Sequence, residues 1–153
     1  MKNNIFTYSI IFLFFSCESE NTHYHSFTNS SWNSQDDVKF DITTEDSTQA
    51  RISNVSIRHN TSYKYQNISF FLHHSFKETI ISTDTINFDL AEDDGKWIGT
   101  GKSNIREFTT TILTPKTYQN GTQYFYLELA MRDNISNEIE KLNNISDISF
   151  YLS

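Results

Sequence analysis

Apolar and polar residues alternate with a period of two along most of this chain. Val38, Phe40 and Ile42 share one side, with Lys39, Asp41 and Thr43 on the other. Ile68, Phe70, Leu72, His74 and Phe76 mark one face of a long strand, and Ile86, Phe88 and Leu90 mark another. Phe125, Leu127, Leu129 and Met131 oppose Tyr124, Tyr126 and Glu128, and Ile148, Phe150 and Leu152 close the chain. Strict alternation signals strands with one face buried. Less regular strands are predicted over 52–58, 96–101 and 105–113, the last rich in β-branched Thr and Ile. Asp94-Gly95 and Asn120-Gly121 read as hairpin turns. Ile135, Ile139 and Leu142 are spaced four and three apart, which predicts one short helix near the C-terminus. About eight or nine strands with regular turns predict an all-β fold, a single antiparallel β-sandwich over 36–153.

The first 35 residues break this pattern. Residues 1–4 carry one positive charge, residues 5–15 are apolar, and Ser16 precedes Cys17. That run has the length of a signal-peptide core and is too short to span a bilayer. A small residue followed by cysteine predicts a lipoprotein signal over 1–16, with cleavage before Cys17 and acylation of its sulfur and new amino group. Phe14 stands three residues before Cys17, where the usual lipobox has Leu. Residues 17–35 read as lipidated cysteine plus polar tether, with Tyr24, Phe27 and Trp32 available to dock back onto the domain.

Composition narrows the class. Cys17 is the only cysteine, so the domain folds without an internal disulfide. Thirteen Phe, eight Tyr and two Trp supply a core in its place. The net charge is −7, and losing Lys2 with the signal makes the mature chain more acidic still. Such a surface disfavours nucleic acid, and no basic cluster interrupts it.

Candidate chemistry is sparse. The run from Gly95 to Ser103 imitates a phosphate loop but has one residue too many before Gly101-Lys102-Ser103, and a Thr-rich strand follows where a helix is needed. Glu92-Asp93-Asp94 lacks the spacing of a calcium loop. His73 and His74 are adjacent in a strand and point to opposite faces. His23 and His25 share a face without a third ligand. No G-x-S-x-G elbow occurs. These absences predict a protein that is not an enzyme, without cofactor or metal. Asp46-Ser47-Thr48 and Asp84-Thr85-Ile86 fit a short O-glycosylation acceptor pattern. Trp97 is expected to anchor the core between the sheets.

The run from Asp84 to Gly101, with its core Asp94-Gly95-Lys96-Trp97-Ile98-Gly99-Thr100-Gly101, resembles the central signature of the GldH family, gliding-motility lipoproteins of Bacteroidota. Trp32 with Val38-Lys39-Phe40 agrees in order. So do Arg58-His59-Asn60 with Tyr63, Tyr65 and Asn67, and Ala130-Met131-Arg132 with Leu142 and Ile145-Ser146-Asp147-Ile148. The stretch 114–121 is longer than the family's turn there. The resemblance implies a lipid-anchored accessory protein of the gliding apparatus, coupled to type IX secretion, with other envelope proteins as partners and neither nucleotide nor nucleic acid. It implies no catalytic residues. The implied location is the outer membrane, facing the periplasm. Glu18-Ser19-Glu20 after Cys17 keeps open a surface-exposed, glycan- or nutrient-binding lipoprotein instead.

Overall fold

The computed structural model describes residues 22–133 and 138–153; Cys17 lies outside them. Among the described residues there are ten strands: β1 (His23–Ser26), β2 (Ser31–Asn33), β3 (Val38–Thr44), β4 (Ala50–Asn60), β5 (Asn67–Phe76), β6 (Thr79–Asp89), β7 (Ile105–Thr117), β8 (Gly121–Leu129), β9 (Lys141–Asn143) and β10 (Ile145–Leu152). Two four-stranded sheets, ordered β1-β10-β4-β7 and β3-β8-β5-β6, pack face to face, and β2 pairs with β9 in a separate ribbon. Every pairing between these strands is antiparallel. This is the predicted all-β sandwich.

The alternating strands lie where alternation predicts. In β3 and β5 every second residue is buried, which places Phe40, Ile42, Phe70 and Leu72 inside. Rings bridge the two sheets. Phe150 packs against Phe125 at 4.6 Å and Phe40 at 5.8 Å between centroids, and Phe88 of β6 meets Phe108 of β7 at 5.4 Å. Beneath the ribbon, Trp32 is fully buried, stacked on Phe27 at 5.1 Å and tilted against Phe70 at 6.3 Å. Its indole N–H donates to the Asp36 carbonyl at 2.9 Å, which satisfies the one polar atom that burial would otherwise strand.

Four expectations are corrected. First, the stretch 17–35 expected to be a tether contains folded strands. From His23 the chain forms β1 and β2, where Phe27 and Trp32 supply apolar area to the core while Tyr24 stays exposed. Second, 96–101 is not a strand; its backbone pairing is limited to isolated bridges, Trp97 with Ala91 and Thr100 with Glu107. Third, Asn120-Gly121 is not a hairpin. β7 pairs with β4 and β8 pairs with β3 and β5, so this stretch carries the chain from one sheet to the other. Tyr118 plugs the crossover, buried, with its hydroxyl 3.1 Å from Ser53 Oγ. Fourth, the helix at 135–142 falls partly on residues 134–137, outside the described residues, while Leu142 lies in β9. Asn144 at φ 68° resets the strand phase, so Leu142 and Ile145 both point inward three residues apart, which mimics helical spacing.

The tightest hairpin was not signalled by glycine at all. Lys77 and Glu78 join β5 to β6 with φ of 48° and 64°. Two successive positive φ values are the type I′ geometry that Asn-Gly prefers, and left-handed backbone costs ordinary residues about 1–2 kcal/mol. Replacing Lys77-Glu78 by Asn-Gly is therefore expected to stabilise the domain by about 1–2 kcal/mol, read as a rise of several degrees in a thermal melt. An unchanged or lower melting temperature would show that the two side chains compensate elsewhere.

Candidate functional site

The strand register gathers the signature segments at one end of the sandwich. The ends of β4 and β8 and the starts of β5, β7 and β10 meet there, since His59 lies opposite Arg106 and Ile145, and Phe70 opposite Leu129. The glycine-rich segment closes over this end. Glu92 N–H bonds to the Lys96 carbonyl and Ile98 N–H to the Leu90 carbonyl, both at 2.8 Å, so residues 90–98 double back on themselves. Asp94 caps the reversal, accepting the Lys96 N–H at 2.9 Å, and Gly95 sits at its corner.

Trp97 does not sit between the sheets. It is half-buried at the end of the sandwich, in edge contact with His59 at 4.6 Å and tilted against Tyr63 at 6.3 Å. Tyr65 extends the group, 5.7 Å from Tyr63. His59 is fully buried, and its Nδ1 lies 3.1 Å from the Asn60 carbonyl, which makes Nδ1 the protonated nitrogen. Burial pushes the His59 pKa down, outweighing that bond, so the ring is neutral. Burial raises the Tyr63 pKa strongly, and its hydroxyl donates to the Asn67 carbonyl at 3.0 Å. Neither group is placed to exchange protons with a substrate; both are packed as core.

Gly99 and Gly101 have a steric reason. A Cβ on Gly99 would sit 2.2 Å from the Glu107 carbonyl oxygen, and one on Gly101 would sit 2.0 Å from that of Ile105. Thr100 exchanges backbone bonds with Glu107 at 2.9 and 2.7 Å. The loop therefore lies directly on the start of β7, and only glycine permits so close an approach. After Lys102-Ser103 the chain enters β7, a strand, where a phosphate loop would need a helix.

The remaining predicted residues spread around this end. Arg58 reaches across to β10, its Nε 2.8 and 2.9 Å from the two carboxylate oxygens of Asp147. Arg58 is about half exposed, so solvent screens the pair and it contributes about 1 kcal/mol. Met131 is buried just beyond β8, where its Sδ accepts the Ser69 N–H at 3.2 Å. Arg132 lies at the surface, as do Glu92, Asp93, Asp94 and Lys96. Among the described residues, no group of three His, Cys, Asp or Glu side chains could hold a metal ion. Asp46 accepts from the Thr48 backbone and hydroxyl at 2.8 and 2.6 Å, which makes that acceptor motif an exposed, self-capped turn. His59 is the member of this cluster that alternation cannot single out, because β4 is buried continuously from Ser53 to Ile57.

What the arrangement offers is a rigid, aromatic-filled end on an acidic domain. The family model described as GldH lipoprotein matches residues 19–151. The chain belongs to the GldH lipoprotein family. Its sequence is 26% identical over 148 residues to the "Gliding motility lipoprotein GldH homolog" of Christiangramia forsetii, covering 95% of this chain and 91% of that one. It is 25% identical over 153 residues to the "Gliding motility lipoprotein GldH" of Flavobacterium johnsoniae, covering 98% and 95%. No solved structure matches. The family assignment agrees with the order of the signature segments and with a lipid-anchored place in the cell envelope.

Proposed function

We propose that this protein is a non-enzymatic accessory subunit of a gliding-motility apparatus coupled to type IX secretion, tethered by acylated Cys17 and acting through protein contacts in the envelope. The observation that carries this is the family match across 19–151, together with relatives named for gliding motility. The fold supports a tethered orientation. β1 starts at His23 opposite Phe150 and ends at Ser26 opposite Asp147, so the chain enters from the end away from Trp97. Cys17 precedes Thr22 by five residues, and an extended chain spans at most about 3.6 Å per residue. The anchor thus holds the domain within about 20 Å of the bilayer, with the signature end presented to neighbours. Confinement raises the effective concentration of partners without any new contact. Outer-membrane attachment facing the periplasm is part of this reading.

One feature favours the glycan alternative. The solvent face of the β3-β8-β5-β6 sheet carries His73 stacked on Tyr126 at 4.2 Å, flanked by Phe71 and exposed Tyr124. His73 is held by Thr83 and Glu128, at 3.0 and 3.1 Å. Flat rings beside polar groups suit a sugar face. In-cell crosslinking with mass spectrometry separates the two readings. Crosslinks from Lys96 and Lys64 to other gliding or secretion proteins are expected; their absence, with retention of the protein on a polysaccharide column, would favour glycan binding.

A further inference from the structure

β7 is one outer edge of the sheet β1-β10-β4-β7, and the chain itself already covers the start of that edge. Thr100 exchanges both backbone bonds with Glu107, antiparallel, on the side away from β4. Pairing between β7 and β4 is one-to-one from Ile105 to Thr111, so Thr109 and Thr111 turn their N–H and C=O the same way as Glu107. Both residues are exposed. Among the described residues, their backbone groups on this side meet only the Thr110 hydroxyl, 3.4 Å from the Thr111 carbonyl. We propose that this open edge of β7, over 108–111, docks an extended segment of a partner protein, added antiparallel as a further strand in line with 99–101. The proposal rests on the reading of a protein-binding subunit and names where the contact is made.

Bare strand edges invite pairing, and proteins usually blunt them with short strands, charges or irregularities. β1 is only four residues long, and β3 carries Lys39 and Asp41. β6 carries Asp84 opposite the buried Leu72, so a charge turns inward along its edge. β7 has no charged residue between Glu107 and Lys116. Its register shifts begin only past Thr111, and Pro115 follows them. The open stretch is therefore regular, bounded by 99–101 on one side and by irregular strand on the other. It is also held in place: Thr109 Oγ donates to Ser56 Oγ at 3.0 Å and Thr111 Oγ to Asn54 Oδ1 at 2.9 Å, both across to β4. A fixed edge loses little freedom when a strand is added to it.

The surroundings of the edge define the occupant. Phe108 and Ile112 pack toward the core but are only partly buried, and Phe88 of β6 lies against Phe108. An added strand places every second side chain beside that apolar fringe and the others beside Thr109 and Thr111 at the surface. Past the register shifts Arg51 lies opposite Lys116, and neither has an ion-pair partner among the described residues. Like charges opposed across a strand pair are unfavourable. An acidic side chain at the start of the incoming strand offsets them. The occupant is thus an alternating apolar and polar strand led by an acidic residue. A second copy of this chain fits less well, because antiparallel self-pairing about Thr111 sets Lys116 against Arg106.

The test titrates the ¹⁵N-labelled full chain with the peptide acetyl-Glu-Thr-Val-Thr-Val-Thr-Val-amide. Saturable shifts and slowed amide exchange are expected at Thr109 and Thr111. The same peptide N-methylated at its threonines lacks the donors that reach the β7 carbonyls, and it should bind about tenfold more weakly, the worth of one hydrogen bond. A peptide with Lys in place of Glu should also bind more weakly; tighter binding would overturn the acidic partner. Thr111→Pro removes an outward N–H and leaves the backbone bonds to β4, a place where strands tolerate proline. It should abolish the shifts, while Thr111→Val, which keeps the N–H, should retain them. The peptide comparison on the wild-type chain decides the matter even where the proline variant does not fold. Unslowed exchange at Thr109 and Thr111, or equal binding of the N-methylated peptide, would overturn the site. So would a concentration-dependent dimer that protects both amides without peptide, since a second copy would then fill the edge. None of these readouts involves gliding, so the site and the motility role fail separately.

Discussion

Trp32→Ala is expected to cost about 3–5 kcal/mol, the range for removing a buried tryptophan. Trp32 is fully buried among core neighbours: Phe27 stacks on it, Phe70 tilts against it, and Leu142 of the paired strand is itself fully buried. The substitution also releases the Asp36 carbonyl from its indole donor. A domain of this size has a total stability of about 5–15 kcal/mol, so much of it would be lost. Chemical denaturation of the two proteins measures the difference directly. Trp97→Ala makes the useful contrast, because Trp97 is half-buried and packs at the end of the sandwich. A Trp97 variant that loses more stability than the Trp32 variant would contradict the assignment of Trp32 as the larger anchor.

Gly99→Ala and Gly101→Ala are expected to be the other severe changes. Each places a methyl carbon inside contact distance of β7 backbone, and backbone cannot rotate away as a flexible side chain can. Overpacking typically costs about 1–3 kcal/mol. Gly99 adds a backbone penalty of about 1–2 kcal/mol, because its φ is +90°. The loop must lift off β7 or the strand must shift, and either breaks the Thr100–Glu107 bonds. Amide exchange at Thr100 and Glu107, followed with global unfolding, distinguishes local lifting from loss of the fold. Wild-type protection and stability in both variants would show that the close approach is not present in solution.

How far the sequence reveals these features depends on strand environment. β3, β5 and β8 have one face in the core and one toward solvent, so their alternation is clean. β4 runs between β10 and β7 with both faces partly covered, and small polar residues such as Asn54 and Ser56 are buried there, bonded to Thr111, Thr109 and Glu107. Its pattern is correspondingly blurred. β1, β2 and β9 span four, three and three residues, too short for any period to show. The signature glycines stand out in the sequence, but their reason is a contact with a strand several residues further on. The His59–Tyr63–Trp97 cluster depends on where three segments meet, and no local pattern encodes that.

Gliding of single cells in the native host, after deletion of this gene and complementation with wild type or Cys17→Ser, tests most directly whether the protein is a lipid-tethered gliding component. The deletion strain should lose gliding and type IX secretion. Wild type should restore both, and Cys17→Ser at equal abundance should restore little, with its product released from the membrane fraction. Normal gliding and secretion in the deletion strain, with a growth defect confined to one polysaccharide, would contradict the gliding role and assign the protein to glycan binding.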